Sequence, residues 1–210
     1  MRLAHERGMG EELQEQEVYL LQIHQNPSSR WHREVRTVLS YFNEITKAMG
    51  MLAEHPKIVF VGQSVKYPGQ RAHASFDLVP MEKRLETPIC EDFTIGLCTG
   101  MAMNGFIPVC FIPRWDFLLL AANQLVNHLD KIPLFSDFRP KVIIRTAVGA
   151  DKPLNPGHQH TQNHTAAFRH MLRTIQVFEI EHESCVMKTY EQALKSDRPS
   201  IVVEHMSLYG

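Results

Sequence analysis

The chain has 210 residues, 44% of them hydrophobic, with a net charge of -1 and a pI of about 6.9. That suits one compact domain with an appended segment, and the interspersed charges leave no electrostatic footprint for nucleic acid or an acidic membrane surface. Four cysteines without a C-x-x-C pair exclude a zinc ribbon or thioredoxin motif.

Residues 1–30 stand apart as an N-terminal extension or arm, and 31–210 read as the domain proper. Met1 to Glu17 is charged, which predicts no secretory signal. No run reaches the ~18 apolar residues of a membrane span. Free thiols point to a reducing, cytoplasmic setting. Glu11 to Gln25 reads as a short helix, broken by Asn26-Pro27-Ser28-Ser29.

A long helix is predicted over roughly Arg33 to Glu54, where Val35, Val38, Leu39, Phe42, Ile45, Met49 and Leu52 recur at three- and four-residue steps. Ile58 to Gly62 is a continuous apolar run ending at Gly, the signature of a buried parallel strand. A helix over Glu91 to Asn104 is closed by Gly105, and Ile107 to Ile112 is a strand. Further helices are expected at Trp115 to Leu129, Thr161 to Met171 and Ser184 to Lys195. Strands are expected at Lys141 to Thr146, Thr174 to Ile180 and Ser200 to Glu204. The alternation predicts an α/β fold: an open, mostly parallel sheet with helices on both faces. Ligands in such sheets sit at the carboxyl ends of strands, here the loops after Val61, Ile89, Ile112 and Thr146.

Three loops carry chemistry-bearing residues. In Thr87-Pro88-Ile89-Cys90-Glu91-Asp92 two acids open a helix. Acids are favoured there by the helix dipole; apolar framing by Pro88, Ile89, Phe93 and Ile95 would also raise a carboxyl pKa toward proton-sharing near neutrality. Val148 to His164 is Gly- and Pro-punctuated, with His158, His160 and His164 within seven residues. No acid or thiol stands at a zinc-ligand spacing, so a catalytic loop is the better reading and no metal ligand is assigned. Pro113-Arg114-Trp115-Asp116-Phe117 sets an aromatic pair after a strand, suited to the core or to stacking on a flat heterocycle. P-loop, Rossmann and nucleophile-elbow motifs are absent.

Taken in order, these segments resemble the beta subunit of the thiamine-dependent 2-oxo-acid dehydrogenase component, the pyruvate and branched-chain type. The resemblance is to its pyrimidine-binding domain and covers about Val35 to Gly210. The family's D-T-P-I-S-E-x-x-F-x-G-x-A-x-G looks like E-T-P-I-C-E-D-F-T-I-G-L-C-T-G from Glu86 to Gly100. Its D-Q-I-x-N matches Asn123 to Asn127, and its V-P-L-V-I-R-x-P-x-G matches Arg139 to Gly149. Its G-x-Q-H-S-Q matches Gly157 to Gln162, and the closing L-E-x-x-x-L-Y matches Val203 to Tyr209.

The resemblance implies roles position by position. Glu91 would hydrogen-bond the cofactor's pyrimidine nitrogen and promote the imino tautomer that deprotonates the thiazolium carbon. Phe117 would contact the pyrimidine. His160 would face the substrate and serve acyl transfer. The implied cofactor is thiamine diphosphate, with Mg held mainly by a partner chain, because no G-D-G occurs here. The implied partner is a diphosphate-binding, alpha-like subunit, in an α2β2 or homodimer core. The implied activity is decarboxylation and acyl transfer on a 2-oxo acid. Departures are present. The family's acidic stretch after Gly becomes Gln63-Ser64, the loop from Lys66 to Arg84 is shorter, and the carboxy-terminal domain is expected to be missing. A split transketolase-like or decarboxylase-like half fits that last feature. A non-catalytic relative fits Gln63 and Ser64 but not the joint retention of Glu91, Phe117 and His160.

Overall fold

The computed structural model describes residues 30–150 and 156–209, with side chains from Tyr41 onward. The helix expected within Glu11 to Gln25, the arm and Asp151 to Asn155 lie outside the described residues. The chain divides into residues 1–38 and 39–210. Of the first unit, the described part is the start of a helix, α1 (Arg30–Ala53).

In the second unit six strands form one sheet: β1 (Ile58–Gly62), β2 (Arg84–Glu86), β3 (Ile107–Phe111), β4 (Ile143–Val148), β5 (Gln176–Ile180) and β6 (Ser200–His205). Their order is β2-β1-β3-β4-β6-β5, and every pairing is parallel. All carboxyl ends therefore open on the same side. The helices between them are α2 (Glu91–Met103), α3 (Trp115–Leu118), α4 (Ile132–Phe135), α5 (Thr165–Met171) and α6 (Val186–Lys195).

Strand alternation sorts the core into two layers. Phe60, Phe111, Ile143 and Val202 face the layer shared with Tyr41, Ile45, Met49 and Leu52 of α1 and with Val186 and Tyr190 of α6. Val61, Cys110, Ile144 and Val203 face the layer of Ile95 and Cys98 of α2, Trp115, Leu125 and Phe168. Cys98 and Cys110 meet in that layer as free thiols, and this contact, with burial, pushes the Cys110 thiol up.

Several expected elements were altered. The helix expected over Trp115 to Leu129 is broken into α3, a 3-10 turn at Leu119–Ala121 and a π-helical stretch at Gln124–Leu129. The apolar spacing there supports burial of Leu118, Leu125 and Leu129, which does not distinguish one winding from another. The extended stretch expected to end at Ile89 is strand only over Arg84–Glu86: three residues with charged ends carry no alternation signal, and pairing with β1 alone defines β2. α5 starts at Thr165 rather than Thr161, where the Asn163 side chain accepts from the Thr165 N–H at 2.9 Å.

One charged pair lies fully inside. Arg145 on β4 donates from Nε and Nη2 to the two Glu204 oxygens on β6 at 2.8 and 3.0 Å, both side chains being fully buried. Nη1 reaches Ser75 Oγ at 2.7 Å, and the guanidinium lies 5.2 Å from the Phe76 ring centroid and 5.0 Å from that of Phe111. The Tyr190 and Tyr209 hydroxyls donate to the remaining Glu204 lone pairs. Burial works against the Arg145 charge, but Glu204 beside it outweighs this and raises its pKa. Burial and the Glu204 charge push both phenols up. Removing one partner of such a pair strands the other charge. Arg145→Met is expected to lower unfolding free energy by about 3–5 kcal/mol in urea melts, and Arg145→Met with Glu204→Leu to recover part of it.

A second buried acid pins the approach to β5. Asp130 Oδ1 accepts from the backbone N–H groups of Arg173, Thr174 and Ile175 at 2.9, 2.7 and 3.1 Å, and Oδ2 accepts from Lys131 Nζ at 2.7 Å. Burial alone would raise its pKa, yet the Lys131 ammonium and these donors hold it below the usual carboxylate value. A depressed folded pKa means stability present above the unfolded value near ~3.9 and lost as pH falls through the folded one. Asp130→Asn should therefore cost about 1–3 kcal/mol at pH 7 and flatten the acid limb of a stability–pH curve.

Candidate functional site

The carboxyl ends of β1, β2, β3 and β4 deliver four segments to one side of the sheet. At β1 the chain turns sharply: Gly62 has φ 147° and Ser64 φ 55°. Gly62 accepts from the Thr87 N–H at 2.9 Å, which sets the segment after β2 against β1. The Glu86 carboxylate at the end of β2 gathers the N–H groups of Ser64, Lys66 and Tyr67 at 2.5, 2.8 and 3.3 Å, closing the turn.

Glu91 follows as the first residue of α2, with Cys90 extended before it. Its side chain is 4% exposed, although Ile89 and Phe93 beside it are open to solvent. Gln63 Nε2 donates to Glu91 Oε1 at 3.3 Å. The helix start is fixed independently: Thr94 N–H and Oγ1 both bond the Cys90 carbonyl at 2.9 Å, and Thr87 and Thr94 hydroxyls meet at 3.2 Å. Glu91 is thus a buried acid with a neutral partner, in addition to being a helix-start acid. Asp92 takes a different course, accepting from Gln124 Nε2 at 3.2 Å.

The loops after β3 and β4 are joined through Arg114, whose Nη1 donates to the carbonyls of Gly149 at 2.9 Å and His160 at 2.8 Å. Phe117, half-buried on α3, meets the His160 ring edge-on at 5.4 Å between centroids. His160 Nδ1 is shielded from solvent and has no hydrogen-bond partner. Asp116 Oδ1 accepts from Gln162 Nε2 at 2.9 Å, a further tie between the two loops. Trp115 belongs to the core: its Nε1 donates to Thr165 Oγ1 at 2.9 Å and its ring packs on Phe168 at 4.7 Å.

The structure therefore joins two of the three sequence-assigned residues, Phe117 and His160, and sets Glu91 against Gln63 on the β1–β2 side. His158 is exposed, while the ring of His164 is half-buried with Nε2 unpartnered. Gln63 as the partner of Glu91 and Arg114 as the clamp were not assigned from sequence. A polar residue directly after a strand-ending Gly was the available signal for the first; Arg114 acts through backbone carbonyls, which leave no sequence trace.

Residues 38–210 match the family model described as the transketolase pyrimidine-binding domain, so the chain belongs to that family. Among its relatives, the mitochondrial pyruvate dehydrogenase E1 component subunit beta of Ascaris suum is 30% identical over 129 residues, covering 60% of this chain and 34% of that protein. A chloroplastic pyruvate dehydrogenase E1 component subunit beta-4 of Oryza sativa subsp. japonica is 28% identical over 166 residues, covering 76% of this chain and 40% of that protein. The chain thus spans well under half the length of these curated relatives. A solved structure described as a split gene transketolase, inactive beta4 tetramer, superposes with a TM-score of 0.60 at 20% identity, covering 79% of this chain and 51% of the other. That likeness confirms the α/β sheet architecture.

Gly62 is where this geometry tolerates least change. A Cβ built there would stand 2.2 Å from the Phe111 carbonyl oxygen of the neighbouring strand, at a φ that non-glycine residues rarely adopt. Gly62→Ala is expected to cost about 3 kcal/mol or more, read as a lowered urea midpoint.

Proposed function

We propose that this chain is the pyrimidine-domain subunit of a thiamine-diphosphate-dependent enzyme acting on a 2-oxo acid, with residues 1–30 as an arm outside the cofactor-binding domain. The observation that carries the reading is the buried Glu91, held by the neutral amide of Gln63 at the opening of α2.

The residues present fit an aminopyrimidine. A largely buried carboxylate offers one oxygen beyond that held by Gln63, enough to bond a ring nitrogen and exchange a proton with it. Phe117 offers a half-buried aromatic ring. The unpartnered Nδ1 of His160 is a polar atom in want of a ligand. Thiamine diphosphate, when bound, supplies a nucleophilic carbon and an electron sink for decarboxylation. Glu91 holds the proton at the pyrimidine nitrogen, Phe117 orients the ring, and His160 bonds the substrate side while Arg114 keeps its loop in place.

Support for a partner comes from the surface around Glu91. Ile89 is 81% exposed and Phe93 51%, apolar side chains flanking Glu91 of the kind that mark an interface. The partner in this reading is an alpha-like chain that holds diphosphate and Mg, in an α2β2 or homodimer core.

The test is co-expression with a diphosphate-binding chain and assay of cofactor- and Mg-dependent oxidation of 2-oxo acids with an artificial acceptor. Glu91→Gln is expected to lower kcat by about 100-fold or more with an unchanged melting temperature. Wild-type turnover in Glu91→Gln would overturn the reading. Aldehyde acceptors in the same assay distinguish a transketolase-like half.

A further inference from the structure

The β5 edge of the sheet carries a second group of ligating side chains, at the carboxyl ends of β5 and β6. Alternation puts Glu179 and Glu181 on one face of the β5 line. The register pairs Glu179 with Val203, so His205, two residues beyond, faces the same way. One donor atom from each of Glu179, Glu181 and His205 lies within 4.8 Å of the other two.

The local bonding is incomplete. His205 Nε2 is shielded from solvent and has no hydrogen-bond partner of acceptable geometry, although Glu179 Oε1 stands 3.2 Å away. Asn163 Nδ2 donates to that same oxygen at 3.0 Å and so fixes the carboxylate. Arg169, nearly half exposed, lies 3.5 Å from the other oxygen and offsets part of the charge. Glu181 is exposed.

We propose that Glu179, Glu181 and His205 bind a divalent first-row transition ion of the Zn2+ type, with solvent filling the open positions. Imidazole favours such ions over Mg2+ or Ca2+, and two carboxylates supply the neutralising charge. Two donors each about 2.1 Å from one ion stand at most about 4.2 Å apart. A small rotation of the exposed Glu181 closes the set. Asn163 is the outer partner that orients Glu179. The ion ties the edge strand β5 to β6, and it stands apart from Glu91, whose helix α2 packs over β1 and β3.

The test is calorimetric titration of ZnCl2 into the full chain in a non-chelating buffer, with melting temperatures in parallel. One saturable equivalent of micromolar or tighter affinity is expected, with a concentration-dependent rise in melting temperature. Glu181→Gln should weaken binding at least tenfold while leaving the metal-free melting temperature unchanged, and His158→Gln should leave binding unchanged. Absence of a saturable site, full affinity in Glu181→Gln, or loss of binding in His158→Gln would each overturn the proposal.

Discussion

The bidentate pair between Arg145 and Glu204 is the constraint on which the fold depends. It bridges β4 and β6, the two middle strands of the run β3-β4-β6-β5. Its outer bonds reach Ser75 in the connection after β1, Tyr190 on α6 and Tyr209 at the end of the chain. A buried pair of this kind adds little net stability over well-packed apolar residues. What it does is specify: each donor and acceptor has a partner only when all five of these places in the chain come together. The contact of the guanidinium with both the Phe76 and Phe111 rings, which meet each other edge-on at 5.4 Å, adds a packing requirement to the bonding one.

That framework explains the placement of the site. Parallel pairing puts every strand's carboxyl end on one side, and the connections there carry the side chains with chemistry. The segments are then fixed by backbone groups more than by side-chain pairs. Glu86 collects three N–H groups, Thr94 closes on the Cys90 carbonyl, and Arg114 holds two carbonyls from the β4 loop. Phe117 and His160 therefore meet because their loops are clamped, and Glu91 is buried because α2 begins where the β1–β2 turn closes over it.

Much of this was legible in the sequence, for identifiable reasons. The apolar run Ile58 to Gly62 could only be a buried strand, and α1 and α2 announced themselves by period and by caps. Glu91, Phe117 and His160 were marked by motif order. Strand order was not legible, since register is set by contacts between residues far apart in the chain. The π-helical winding at Gln124–Leu129 was hidden for a related reason: the same leucines are buried in either winding. The Glu179–Glu181–His205 group was invisible because the two carboxylates and the imidazole are 24 or more residues apart, and only the β5–β6 register unites them.

The edges of the sheet have a colloidal consequence. A parallel sheet ending in a long, flat strand offers a row of free backbone groups to any passing chain. Here one edge is β2, three residues long with Arg84 and Glu86 at its ends, and the other is β5, which carries Glu179 with Arg169 beside it. One edge is short and the other carries a charged pair, features that work against templating another strand. Crowded copies of this protein would resist growth into fibrils by strand addition.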